Sequence, residues 1–209
     1  METVHQPLMQ KMIKSNSMLL NCQVVLGSSS PRRKKFFEEM GIDVVIKTKE
    51  IEEHYPDHLQ RAEITDYLAK LKASPLSPSL LPHQVLITSD TLVWFDQTAM
   101  GKPKDTLEAH QMLSKLSGNW HEVYTSVCFT TTLKQEVVHA LTHVKFNEID
   151  PLDIEYYIST YQPFDKAGSY GIQEWIGLIG VEQIKGSYNN VVGLPTALVY
   201  KTLTKFCNP

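Results

Sequence analysis

The chain has 209 residues, 42% of them hydrophobic and 21% charged, which is enough apolar material for a core without metal or disulfide staples. Its formal net charge of −3 argues against nucleic-acid binding through bulk positive charge, but a few local cations could still hold a small anionic ligand. Three scattered cysteines, Cys22, Cys128 and Cys207, form no C-x-x-C pair, so the sequence predicts neither a disulfide framework nor a zinc site and favours a reducing, cytoplasmic setting.

Residues 1–22 read as an N-terminal extension without clear apolar periodicity, and the apolar run from Met18 to Leu26 is too short and broken to cross a membrane. Val24 to Leu26 predicts a buried strand that stops at Gly27. The Ser-rich loop Ser28-Ser29-Ser30 follows, then Pro31 in a first helical turn and a helix from Lys34 to Met40 with Gly41 as its cap. Val44 to Ile46 predicts a second strand, and Glu63 to Ala73 a helix with Ile64, Leu68 and Leu71 on one side. Ser74 to Pro82 reads as a loop. Gln84 to Thr88 and Leu92 to Phe95 read as two strands separated by Ser89-Asp90-Thr91. A helix over Thr106 to Leu116 is followed by a strand pair, Val123 to Thr132 and Val137 to Phe146, turning near Lys134-Gln135. Asp150-Pro151 opens a helix reaching about Thr160. Gly168 to Gly193 reads as irregular, and a last helix covers Thr196 to Phe206. The alternation predicts an α/β fold with a mixed twisted central sheet flanked by helices, as one domain over 23–207.

The chemistry concentrates in a few places. Gly27 to Arg33 joins a strand end, serine hydroxyls and two guanidinium forks at a helix N-terminus, where unpaired backbone N–H groups favour an anion. It lacks the spacing of a P-loop or a dinucleotide fingerprint, and an ordinary capping serine with solvent arginines fits the same residues. Asp90 after an apolar strand is a candidate metal ligand or water-orienting base, or a turn residue. Lys102 between Gly101 and Pro103 is held in a restricted backbone. Glu53 can ligate a metal or lie on a solvated face, and Lys72 is by default a solvent lysine of its helix. Asp165 to Gln173 sets polar side chains between glycines, as functional loops do.

Taken together and in order, these segments resemble the Maf family of nucleoside triphosphate pyrophosphatases, from Val24 to about Phe206. The marks are Ser28 to Arg33, Glu53, Ala69-x-x-Lys72-Ala73, Asp90-Thr91, Gly101-Lys102-Pro103, Leu116-Ser117-Gly118 with His121, Asp165 to Gln173, Gly186-Ser187-Tyr188 and Val191 to Pro195. The resemblance implies a Maf/ITPase-like fold of two lobes with an active-site cleft between them. It also implies metal-dependent hydrolysis of a triphosphate to the monophosphate and pyrophosphate.

Within the family the chain is similar to the dTTP/UTP subgroup, through Arg32, Thr91 and Gln173. On that basis Asp90 is the expected proton acceptor or metal ligand, with Glu53 as a second ligand of Mg²⁺, or of Mn²⁺ or Co²⁺. Arg33, Lys72, Lys102 and Lys166 are expected to stabilise the triphosphate, and Ser28 and Ser30 to position phosphates. Ser89 stands where alanine is usual. Glu174 and Trp175 stand where glycine is common, so their bulk is expected to reshape the base pocket. The expected partners are a nucleotide and, at family level, a second copy of the chain, with no nucleic acid and no membrane. Two further readings are a nucleotide-binding regulator of septum formation with little catalysis, and a house-cleaning enzyme for modified pyrimidine nucleotides.

Overall fold

A computed structural model of the protein describes residues 21–208, so the predicted extension lies outside the described residues except for Asn21 and Cys22. Seven strands form one mixed sheet: β1 (Gln23–Leu26), β2 (Val44–Ile46), β3 (Gln84–Phe95), β4 (Thr98–Met100), β5 (Trp120–Thr130), β6 (Gln135–Phe146) and β7 (Val181–Lys185). They run in the order β2-β1-β3-β5-β6-β7, with β4 also on β3. β1 pairs in parallel with β2 and β3, and every other pairing is antiparallel. Among the described residues the helices of six residues or more are α1 (Pro31–Glu39), α2 (Ala62–Ala73), α3 (Thr106–Leu116), α4 (Pro151–Tyr161), α5 (Trp175–Gly180) and α7 (Thr196–Cys207), and the five-residue α6 (Tyr188–Val192) precedes the last.

β1 and the neighbouring part of β3 are covered on both faces, which is why they read as continuous apolar runs, whereas the edge strand β2 leaves Val45 and Ile46 exposed. Val24, Leu26 and Ile87 pack with Phe37 of α1 and with Val199, Leu203 and Phe206 of α7. On the opposite face Val25 and Leu86 meet Ala69 and Ala73 of α2. A second core forms around Val93, Leu113, Leu116, Phe146, Tyr157 and Ile176, drawing on α3, α4 and α5.

The structure departs from the sequence reading in three places. The two strands expected around Ser89-Asp90-Thr91 are one continuous strand, because β5 pairs with β3 without a break from Leu86 to Trp94. The irregular region expected from Gly168 to Gly193 contains α5, α6 and the whole of β7, which pairs with β6 through Val144↔Ile184. Cys22 and Cys207, expected to be unpaired, are joined as a disulfide across 185 residues. Sequence spacing gives no hint of this, because α7 returns to pack beside β1 only in the folded state. Cys128 is free and buried.

Candidate active site

The cleft begins at a gap in the sheet. One edge of β3 pairs with β1 as far as Ile87 and with β4 from Val93 onward. The stretch from Thr88 to Leu92 therefore has no strand on that side. Side chains alternate along a strand, so an open edge presents neighbours of both faces to one space. Asp90 and Thr91 both line the resulting cleft, of about 440 Å³.

From one face of the sheet, α2 delivers Lys72. Its ammonium donates to Asp90 Oδ1 at 2.6 Å and lies 3.0 Å from Glu53 Oε2. Among the described residues no hydrogen bond reaches the second oxygen of Asp90. From the other face, α1 delivers the serine loop and Arg33. Ser30 caps α1, its hydroxyl accepting from Arg33 N–H at 3.4 Å, with Pro31 as the first helical residue. The Ser28 hydroxyl accepts from Ser30 N–H at 3.2 Å.

Arg33 ties several elements together. It donates to Gly193 O (2.9 Å), Ser89 O (2.9 Å), Ser28 Oγ (3.3 Å) and Thr91 Oγ1 (3.1 Å). Ser89 O lies on the unpaired edge of β3, so the guanidinium replaces part of the missing strand. One of its five N–H groups remains for a ligand. Desolvation lowers this guanidinium to about 10, partly offset by the charge of Asp90, so it stays charged at neutral pH.

Across the cleft lies the segment from Asp165 to Gln173. Arg32 donates to Asp165 Oδ2 at 2.8 Å, and Lys166 donates to Asp165 Oδ1 at 2.7 Å. Burial alone would raise the Asp165 carboxyl, but the hydrogen bonds from Lys166 and Arg32 outweigh it and leave its pKa below the ordinary value. Gly168 N–H donates to Gly101 O at 3.0 Å, and this bond docks the Lys102 loop onto the segment. Lys102 is exposed at the cleft with no ion pair among the described residues. Gln173 is also exposed there, and its side-chain amide makes no hydrogen bond among the described residues.

Every candidate residue read from the sequence except Lys72 borders this cleft, and Lys72 reaches it through Asp90 and Glu53. Other marks of the resemblance are structural. The Ser117 hydroxyl accepts from Ile149 N–H at 2.7 Å, and Ser187 caps α6. His121 is buried beneath the cleft wall, where its Nε2 pairs with the Tyr170 hydroxyl at 2.7 Å. Burial lowers this imidazole to about 3, so it is neutral in the folded protein.

Glu174 and Trp175, expected to reshape the base pocket, do not themselves line the cleft. Glu174 turns away onto Tyr157 and Lys166, and Trp175 packs edge-on against Tyr156 at 4.9 Å. The sequence singled out the loop from Asp165 to Gln173 but assigned no role to Asp165, which is the shared partner of Arg32 and Lys166. Among the described residues no helix is long and apolar enough to cross a membrane.

The family described as Maf-like protein matches residues 23–206. The dTTP/UTP pyrophosphatase of Flavobacterium psychrophilum is 56% identical over 180 residues, 86% of this chain and 92% of that protein. The dTTP/UTP pyrophosphatase of Christiangramia forsetii is 51% identical over 191 residues, 91% and 97% of the two chains. The protein of the same description from Bacteroides fragilis is 48% identical over 182 residues, 87% and 94%. Among solved structures, the Staphylococcus aureus Ham1 protein aligns with 86% of this chain and 99% of its own at a TM-score of 0.46 and 14% identity. With the match running from the first residue of β1 almost to the end of α7, and relatives near half identical along nearly their whole length, the chain belongs to the Maf family.

Proposed function

We propose that the protein hydrolyses dTTP and UTP to the monophosphate and pyrophosphate, as the names of its relatives suggest. The observation that carries the reading is the gap in the sheet. It sets Asp90, with one oxygen free, at one end of a cleft whose other end offers the unpaired amide of Gln173.

The donor set suits a hard divalent cation such as Mg²⁺, with Mn²⁺ or Co²⁺ as substitutes. Asp90 and Glu53 already converge on one cation, the Lys72 ammonium. Among the described residues no cluster of three or more His, Cys, Asp or Glu forms. The pair would therefore hold the metal together with phosphate oxygens and water, as magnesium sites commonly do. A cation bound there would neutralise phosphate charge and ease deprotonation of a water. Asp90 takes the proton of the attacking water at its free oxygen. Lys102, the last N–H of Arg33 and the N-terminus of α1 hold phosphate oxygens and stabilise the departing pyrophosphate. Ser28 and Ser30 set the shape of the loop around those oxygens.

Gln173 offers a donor and an acceptor, the complement of the imide edge of thymine or uracil. Arg32 lies at the rim, paired with Asp165, and Thr91 is bonded to Arg33 and to Thr125 at 3.0 Å. These positions support roles in setting how deep the nucleotide sits. Triphosphates are intracellular metabolites, so this reading places the protein in the cytoplasm.

The test is pyrophosphate release from the common and modified triphosphates with Mg²⁺, Mn²⁺ or Co²⁺. Release from dTTP and UTP above the others is expected. No release from any of them, with nucleotide still bound, would replace this reading with that of a nucleotide-binding regulator.

A further inference from the structure

Behind the base end of the cleft lies a polar chain, buried at Tyr157 and Lys166 and opening to the rim at Asp165 and Arg32, whose inner members Tyr157 and Glu174 none of the roles above uses. Tyr157 of α4 is fully buried, and its hydroxyl donates to Glu174 Oε2. The same hydroxyl accepts from Gly171 N–H at 3.0 Å. Glu174 Oε1 lies 3.1 Å from the Lys166 ammonium, whose side chain is only 9% exposed. Lys166 in turn meets Asp165, and Asp165 meets Arg32 at the rim. Charges alternate along this chain, and each cation has a carboxylate partner. An ammonium has three N–H groups. One of those on Lys166 goes to Asp165, the carboxylate of Glu174 stands within ion-pair distance, and the residue borders the cleft.

The backbone ties the same residues to Gln173. Glu174 N–H donates to Gly171 O at 2.9 Å and closes a turn over Gly171. A Cβ on Gly171 would come within 2.8 Å of both Gln173 Nε2 and the Glu174 carboxyl carbon. The two side chains therefore fold round the glycine that Tyr157 anchors.

We propose that Tyr157 and Glu174 are positioning residues for base selection, holding Lys166 with its charge matched by carboxylates and one N–H left for a carbonyl oxygen of a pyrimidine. Lys166 then serves the base and not the triphosphate. An ammonium already balanced by two carboxylates adds little attraction for a polyanion, but it still donates well to a neutral carbonyl. Uracil and thymine present such an oxygen where cytosine presents an amino group, so the arrangement favours keto over amino pyrimidines. The inference rests on the reading of the cleft as a site for pyrimidine triphosphates.

The experiment compares wild type with Glu174→Gln, Glu174→Asp, Tyr157→Phe and Lys166→Met. The readouts are kcat and KM for UTP and CTP, and calorimetric binding of UMP and of inorganic tripolyphosphate. For Glu174→Gln and Lys166→Met, KM for UTP and the Kd of UMP should rise about 10-fold or more, as for one lost charge-assisted hydrogen bond. In both, kcat should stay within about 3-fold, the preference for UTP over CTP should shrink, and tripolyphosphate should bind no more weakly than to wild type. Tyr157→Phe should move the same way by less, and Glu174→Asp should recover part of the loss. The proposal is overturned if tripolyphosphate binding weakens in step with UMP in Lys166→Met, or if Glu174→Gln leaves UMP binding unchanged. Should Glu174→Gln not fold, Tyr157→Phe, which keeps the ring and nearly its volume, decides between the same outcomes. Wild type that binds UMP but releases no pyrophosphate would sink the proposed hydrolysis, and the binding measurements would still test this inference.

Discussion

Around Asp90 two cations, Arg33 and Lys72, meet two carboxylates, Glu53 and Asp90, and Lys102 borders the same cleft with no ion pair among the described residues. At the opposite end two cations, Arg32 and Lys166, face two carboxylates, Asp165 and Glu174, in a closed alternating chain. The first arrangement leaves a surplus cation and a carboxylate oxygen without a partner, as charged phosphates and a reacting water require. The second leaves no net charge while keeping a donor on Lys166 and the amide of Gln173 for a neutral partner, as a base requires. Family motifs rich in Lys and Arg read alike at both ends. The difference between them lies in which carboxylates each cation meets, and that is a tertiary property.

The largest expected effect breaks the reacting end. Asp90→Asn removes the proton acceptor while keeping the side chain's shape and an acceptor for Lys72. The turnover of UTP should fall by about 10²–10⁴-fold, with UMP binding within a few-fold of wild type. Steady-state rates and calorimetry check it, and a variant turning over near the wild-type rate would remove Asp90 from the mechanism. Next comes Arg33→Lys. A lysine cannot reach Gly193 O, Ser89 O and Thr91 Oγ1 together, so the open edge of β3 loses its substitute partner. The expected cost is about 2–4 kcal/mol in urea unfolding, from carbonyls left unpaired, in addition to lost activity. Lost activity without lost stability would make Arg33 a phosphate ligand and not a tie.

Much of this was legible in the sequence. Pro31 after Ser30 marked the start of α1, and Asp150-Pro151 marked the start of α4. The candidate residues from Ser28 to Gln173 do meet at one cleft. The break in the sheet was not legible, because Ser89-Asp90-Thr91 looks like a turn. Those residues are tolerated mid-strand because Arg33 and Lys72 satisfy them from distant helices. Short strands such as β4 and β7 leave little periodic signal in three or five residues. The turn of Glu174 onto Tyr157 and Lys166 was not legible, because sequence gives a side chain's size and not its direction.

A smaller effect tests the wall behind the base end. The folded imidazole of His121 titrates near 3, whereas an unfolded one titrates near 6.5. As pH falls below 6.5 the unfolded chain takes up a proton that the folded chain refuses. Stability should then drop by up to about 1.4 kcal/mol per pH unit. Asp165, whose pKa is lowered, adds its own loss only below the ordinary carboxylate range, so the two windows separate. Urea unfolding between pH 7 and 4 should show the slope in wild type and a shallower one in His121→Phe. Equal slopes would mean that the imidazole is protonated in the fold and that Tyr170 is not held as described.

The smallest effect concerns Ser89, next to Asp90 but directed to the other face of the strand. Its hydroxyl is buried and has no hydrogen-bond partner, while its carbonyl is the one that Arg33 holds. A buried hydroxyl without a partner costs about 1–3 kcal/mol relative to water, and alanine removes that cost while leaving the backbone bond to Arg33 in place. Ser89→Ala should therefore raise the urea midpoint by the equivalent of about 1 kcal/mol, with the m-value unchanged. The gain should come with no change in the ratio of UTP to CTP turnover, since Ser89 does not line the cleft. A loss of stability would mean that the hydroxyl has a partner in solution, a bound water being the one that fits a polar void beside β3. The open edge would then be held partly by solvent and not by Arg33 alone.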